Sequence, residues 1–218
     1  MVKNKENCVF LTLFSIFFKI VLYFISKCDR ISLGEFETFL TKPIRRLKNK
    51  TTGAKSIMKN KTALYLTRGA LCAALYVVLT HLSNAFGLAS GAIQLRISEA
   101  LCIMPLFYPE AIVGIFIGCI ISNLTTGGLI WDVIFGSLAT LIGLIGAWLL
   151  RKLTKKLIFI ATIPTVLANA LIIPPVLMYA YGVEDGFWFL FATVGLGELI
   201  SATVFGTILF FSMKKARL

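Results

Sequence analysis

Charge is scarce in this chain. Only 15% of its 218 residues are Asp, Glu, Lys or Arg, against 58% hydrophobic. A soluble globular domain carries about a quarter charged residues, so a surface wetted on all sides is excluded and an integral membrane protein is expected. Histidine is reduced to His81, and no His-Glu-x-x-His stretch exists, which argues against an intramembrane zinc protease. His81 itself reads as an interfacial or loop-packing residue. No glycine-rich loop ending in Gly-Lys-Ser/Thr occurs; Gly53-Ala54-Lys55-Ser56 lacks the spacing, so the chain cannot hold ATP by that route. The five cysteines (Cys8, Cys28, Cys72, Cys102, Cys119) show no paired-thiol spacing, so neither a disulfide framework nor a metal site is indicated, and they read as structural. No cofactor is expected.

Positive charge is in excess. Lys and Arg number 22 against 10 acids, a net +12, yet these residues flank apolar runs, which marks a cytoplasmic membrane face rather than a nucleic-acid surface. Residues 1–57 stand apart as an atypical extension with net charge +7, one apolar stretch interrupted by Lys19, and the basic cluster Arg45, Arg46, Lys48 and Lys50. It reads either as an extra anchor or as a start placed too early, with Met58 preferred as the true beginning and 58–218 as the membrane domain. From there six apolar runs follow, at 63–82, 97–107, 111–123, 131–150, 157–181 and 187–213. The second and third are short, and 97–123 could form one helix kinked near Pro105, Pro109 and Glu110. Charge parity favours six spans. With both termini of the membrane domain inside, the clusters around Lys59, Arg151 and Lys214 are all cytoplasmic, and Arg96 is the basic residue left outside. The outer connection 83–96 is long enough for a lid over a pocket, or is a plain connector.

An ionisable group within the membrane costs roughly 2.5 to 3.5 kcal/mol at a helix centre, so each asks for a reason. Glu198 sits within Gly195-Leu196-Gly197-Glu198-Leu199, Glu99 opens the second run beside Ser98 and Arg96, and Asp132 opens the fourth beside Trp131. Asn123 closes the third run, Asn169 lies midway along the fifth, and Tyr179 and Trp188 stand near the outer boundary. Each has a plain alternative: interhelical packing for Glu198, helix-end chemistry for Glu99, an N-terminal acid and an interfacial anchor for Asp132 and Trp131. Together they reach one part of the bundle from five helices. Carboxylates, amides and aromatic faces suit a flat, donor-rich, positively charged heterocycle. On the first helix Gly69, Ala70, Ala73 and Ala74 form small-x-x-x-small pairs, equally fit for an internal contact or a partner subunit.

Four stretches resemble the QueT family: Ile97-Ser98-Glu99-Ala100-Leu101, Phe116-Ile117-Gly118-Cys119-Ile120-Ile121-Ser122-Asn123, Asp132-Val133-Ile134-Phe135-Gly136-Ser137-Leu138-Ala139-Thr140-Leu141, and Gly195-Leu196-Gly197-Glu198-Leu199-Ile200. The resemblance runs in order from Met58 to Arg217. It implies an all-α, six-helix bundle of the kind found in S components of energy-coupling factor (ECF) importers, in the bacterial cell membrane. It also implies capture of the queuosine precursor 7-aminomethyl-7-deazaguanine (preQ1) from outside, with a separate transmembrane coupling subunit and two cytoplasmic ATPase subunits. Ala70 and Ala74, with Gly69 and Ala73, match the docking motif such proteins carry. The candidate ligand contacts are then Glu198, Glu99, Asn123, Trp131, Asp132, Asn169, Tyr179 and Arg96, with Trp131 stacking and Asp132 pairing the aminomethyl charge. The rival readings are an S component for another vitamin or nucleobase, a membrane enzyme using the three acids, and a transporter driven by an ion gradient.

Overall fold

The computed structural model describes residues 61–88, 94–155 and 158–217, so the expectation for 1–57 lies outside the described residues. The site lies in one contact unit, Tyr65–Phe211. Among the described residues every regular element is helical. They are α1 (Lys61–Ala85), a 3-10 helix (Ile97–Leu106), α2 (Ala111–Thr125), α3 (Ile130–Leu149, tightening into a 3-10 turn at Leu150–Lys155) and α4 (Phe159–Ala180). The last rod comprises α5 (Phe187–Glu198), a π-helical stretch (Leu199–Phe205) and α6 (Gly206–Arg217).

Four of these are long and apolar enough to cross a membrane: Leu64–Ala85, Ile130–Leu153, Phe159–Ala180 and Phe187–Lys215. The two runs that looked short in the sequence are short in space. Ten residues of 3-10 helix span about 20 Å at 2.0 Å per residue and the 15 residues of α2 span roughly 22 Å at 1.5 Å per residue. Neither matches a hydrocarbon layer of about 30 Å by itself. They are also two separate elements, since the chain breaks helix between Leu106 and Ala111, where Pro109 and Glu110 fall.

The 3-10 helix is buried from Ile97 through Pro105, on every side. That explains its mostly apolar composition: a helix wrapped all round by neighbours keeps only polar residues that find partners inside, here Ser98 with Thr80 and Glu99 with Tyr76. Ser83 of α1 accepts the Ile97 N–H at 3.1 Å and Thr80 donates to Ser98 at 2.9 Å, so α1 supplies the cap that Arg96 does not.

Glycines set the closest helix approaches. A Cβ on Gly114 of α2 would stand 2.1 Å from the Gly69 carbonyl oxygen, and one on Gly118 would stand 2.8 Å from that of Ala73. The small-residue stripe of α1 is thereby split. Gly69 and Ala73 are taken up by the internal contact with α2, which corrects their assignment to a partner, whereas Ala70 and Ala74 lie exposed in a ridge with Leu66 and Val78. The reason is rotational, because positions one apart on a helix point about 100° apart. Gly114→Ala is expected to lower stability by about 1 to 3 kcal/mol, because the added methyl meets rigid backbone. Thermal unfolding in detergent checks it, and an unchanged midpoint would mean that the two helices separate freely.

Candidate functional site

A polar cavity of about 550 Å³ opens at the end of the unit where α2 turns into α3 and α4 turns into α5. Its wall takes Thr80, Ser83 and Asn84 from α1, Gln94 and Arg96 from the segment before the 3-10 helix, and Asn123 from α2. The turn Thr126–Gly127–Gly128, Asp132 of α3, Ile173 and Leu177 of α4, and Tyr181 and Val183 just beyond it complete the lining. The connection 83–96 thus contributes wall residues on both sides of 89–93, which lie outside the described residues, and the lid expectation falls partly on them.

Arg96 and Asp132 face each other across the wall, Nη2 to Oδ2 at 3.5 Å, both mostly buried. Burial works against the Arg96 charge, but the Asp132 carboxylate beside it more than offsets this and raises the guanidinium pKa. The Asn123 amide lies 3.5 Å from the Asp132 carbonyl and 3.6 Å from the Cys119 thiol. Tyr181 carries its hydroxyl to the Leu129 N–H at 3.1 Å, linking the two turns at the cavity's edge.

Behind this wall lies a second layer. Glu99, 1% exposed, accepts from Tyr76, from Thr140 at 3.3 Å and from Cys102 at 3.0 Å. Three donors converge on this one carboxyl, Thr140 sharing its hydroxyl with the Gly136 carbonyl at 3.1 Å. Glu198, 5% exposed, lies within electrostatic range of Glu99 and Arg96, and its Oε2 has no protein partner. Asn169 is buried one turn from Ile173 and donates to the Thr165 carbonyl at 3.1 Å. The wall therefore sets the Asp132 carboxyl against one guanidinium, Arg96, with two buried carboxyl groups, Glu99 and Glu198, behind them. Among the described residues, no three His, Cys, Asp or Glu side chains gather as metal ligands.

Of the residues expected from sequence, Arg96, Asn123 and Asp132 line the cavity, and Glu99 and Glu198 lie behind it. Asn169 is buried at a deeper level. Trp131 and Tyr179 stand elsewhere, 54% and 89% exposed, on an apolar groove between α3 and α4 that also takes Phe135 and Pro175. Trp131 stacks on Phe135 with ring centroids 6.1 Å apart. This corrects the stacking role given to Trp131. Neighbours on a helix cannot share a face, so once Asp132 turns inward Trp131 turns outward. The aromatic that reaches the cavity is Tyr181. Tyr76 was also missed, although Tyr76, Thr80 and Ser83 recur at helical spacing in an otherwise apolar run, which is the pattern of an inward polar face. His81 stays at the surface, 2.9 Å from the Thr125 hydroxyl.

The family model described as QueT transporter matches residues 66–215. A curated protein of Lactococcus lactis subsp. cremoris (strain MG1363), named Queuosine precursor transporter QueT, is 38% identical over 86 residues, covering 39% of this chain and 50% of that protein. The chain thus spans about half the length of that relative. No solved structure matches.

Proposed function

The chain belongs to the QueT transporter family, and from that premise we propose that it is the substrate-binding S component of an ECF importer for a queuosine precursor, 7-aminomethyl-7-deazaguanine or a close analogue. The observation that carries this reading is the polar cavity, in which Arg96, Asn123 and Asp132 offer donors and acceptors at one end of an otherwise apolar helical unit, with the buried carboxyl groups of Glu99 and Glu198 behind them. A flat heterocycle bearing a ring amide edge and an ammonium group fits that chemistry. In this reading the 3-10 helix and α2 complete six crossings, the basic ends around Arg151 and Lys214 are cytoplasmic, and the cavity faces out.

The chain lacks a nucleotide loop, and in this reading other subunits hydrolyse the ATP. The exposed Leu66, Ala70, Ala74 and Val78 ridge suits a helix of the coupling subunit, since small residues let backbones approach. Titration calorimetry of purified protein with 7-aminomethyl-7-deazaguanine is expected to give saturable one-to-one binding without turnover. Absence of binding would reject this ligand class. Ala70→Trp with Ala74→Trp is expected to abolish co-purification with coupling and ATPase subunits while ligand binding persists. Loss of both together would point to a folding role for that ridge, and uptake by this chain alone in liposomes would reject the need for partners.

A further inference from the structure

Two ion pairs join described residues of this protein, and they are built differently. Arg68 and Glu110 meet at 3.2 Å and are hydrogen-bonded, Nη1 to Oε1. Arg96 and Asp132 face each other at 3.5 Å with no hydrogen bond between them. Neither side chain finds one elsewhere among the described residues: nothing accepts from the guanidinium, and the carboxylate caps no helix N–H although Asp132 lies in the first turn of α3. Yet the two side chains are only 18% and 13% exposed, and a buried donor or acceptor without a partner is costly. Their main chains are fixed, the Asp132 N–H on the Leu129 carbonyl at 2.9 Å and the Glu99 N–H on the Arg96 carbonyl at 3.0 Å. The pair therefore stands at set positions on the cavity wall with its hydrogen-bonding capacity unspent.

Among the described residues of the lining, Arg96 is the one base and Asp132 the one acid. An ammonium entering the cavity thus has a single carboxylate to meet, and beside it a guanidinium that repels it unless an acceptor arrives with the ammonium. 7-Aminomethyl-7-deazaguanine carries that combination. Its ring carbonyl and its aminomethyl group sit on carbons flanking one fusion carbon, so acceptor and cation project side by side. We infer that Arg96 and Asp132 are the specificity-determining residues for this edge, Arg96 donating to the ring carbonyl and Asp132 accepting from the ammonium, so that the cavity selects an aminomethyl group over a neutral substituent. The inference rests on the transport reading above and deepens it by naming the ligand group each residue takes. In the free protein the two charges offset each other at 3.5 Å; on binding, each exchanges a contact without a hydrogen bond for one that has it.

The test is calorimetry on purified wild type and Asp132→Asn, with melting temperature recorded for each. Three compounds are compared: 7-aminomethyl-7-deazaguanine, its 7-cyano counterpart, and the aminomethyl compound with a 6-amino group in place of the ring carbonyl. Wild type is expected to bind the first at least about 100-fold more tightly than either of the others, because the nitrile sets an acceptor against Asp132 and the 6-amino group sets a donor against Arg96. Asp132→Asn is expected to narrow the preference for aminomethyl over cyano to within about fivefold, the amide no longer discriminating by charge. Comparable binding by wild type of the aminomethyl compound and either counterpart would overturn the inference while leaving the transport reading intact. So would a wild-type preference retained in folded Asp132→Asn; if that variant does not fold, the three compounds on wild type decide alone. Failure of wild type to bind any of the three would overturn the transport reading and the inference with it.

Discussion

Arg96→Met is expected to abolish binding of the precursor and to lower the unfolding free energy by about 3 to 5 kcal/mol, because it leaves the largely buried Asp132 carboxylate without its cation. The double variant Arg96→Met with Asp132→Leu removes both charges of the pair. It is expected to recover most of the lost stability and none of the binding, since an apolar pair of similar volume replaces an ion pair at little net cost. Chemical denaturation in detergent, run beside calorimetry, separates the two effects. A single variant as stable as the wild type would show that the 3.5 Å pair is not coupled in the folded protein.

The second large effect divides the two glutamates. Glu99→Ala removes the acceptor of Tyr76, Thr140 and Cys102 at a site closed to water, and each buried donor left unsatisfied costs about 1 to 3 kcal/mol. Several of those hydroxyl and thiol groups re-pair weakly with one another, as Tyr76 and Cys119 already do at 3.4 Å. A net loss of about 3 to 5 kcal/mol is expected, enough to impair accumulation in the membrane. Glu198→Gln should behave in the opposite way for stability. Its Oε2 serves no protein donor, so the amide replaces the carboxyl at no cost in protein hydrogen bonds and the melting temperature is expected to hold. A Glu198→Gln protein that unfolds early would make Glu198 a structural ligand of the bundle instead.

Membrane character was legible in the sequence from the apolar runs and the placement of basic residues, because the cost of carrying polar groups into hydrocarbon acts on composition directly. The same cost identified Glu99 and Glu198 as residues that turn inward: no side chain of that kind faces lipid without severe penalty, and both are buried. The family resemblance was legible too, since its motifs are local stretches of chain. Helix rotation was not. Ala70 could not be told from Gly69, nor Asp132 from Trp131, since an apolar span offers lipid and core the same kinds of residue and only neighbouring helices decide which face turns in. The 3-10 helix was equally hidden, because an apolar run reads alike whether it spans lipid or is wrapped by protein.

By itself, then, the sequence determined that this chain lives in a membrane, which acids it must bury and which family it resembles. The tertiary structure alone decided that Arg96, Asn123, Asp132 and Tyr181 share a cavity and that Tyr76 backs Glu99. Those meetings join residues tens of positions apart through packing angles, and no local pattern encodes an angle between helices.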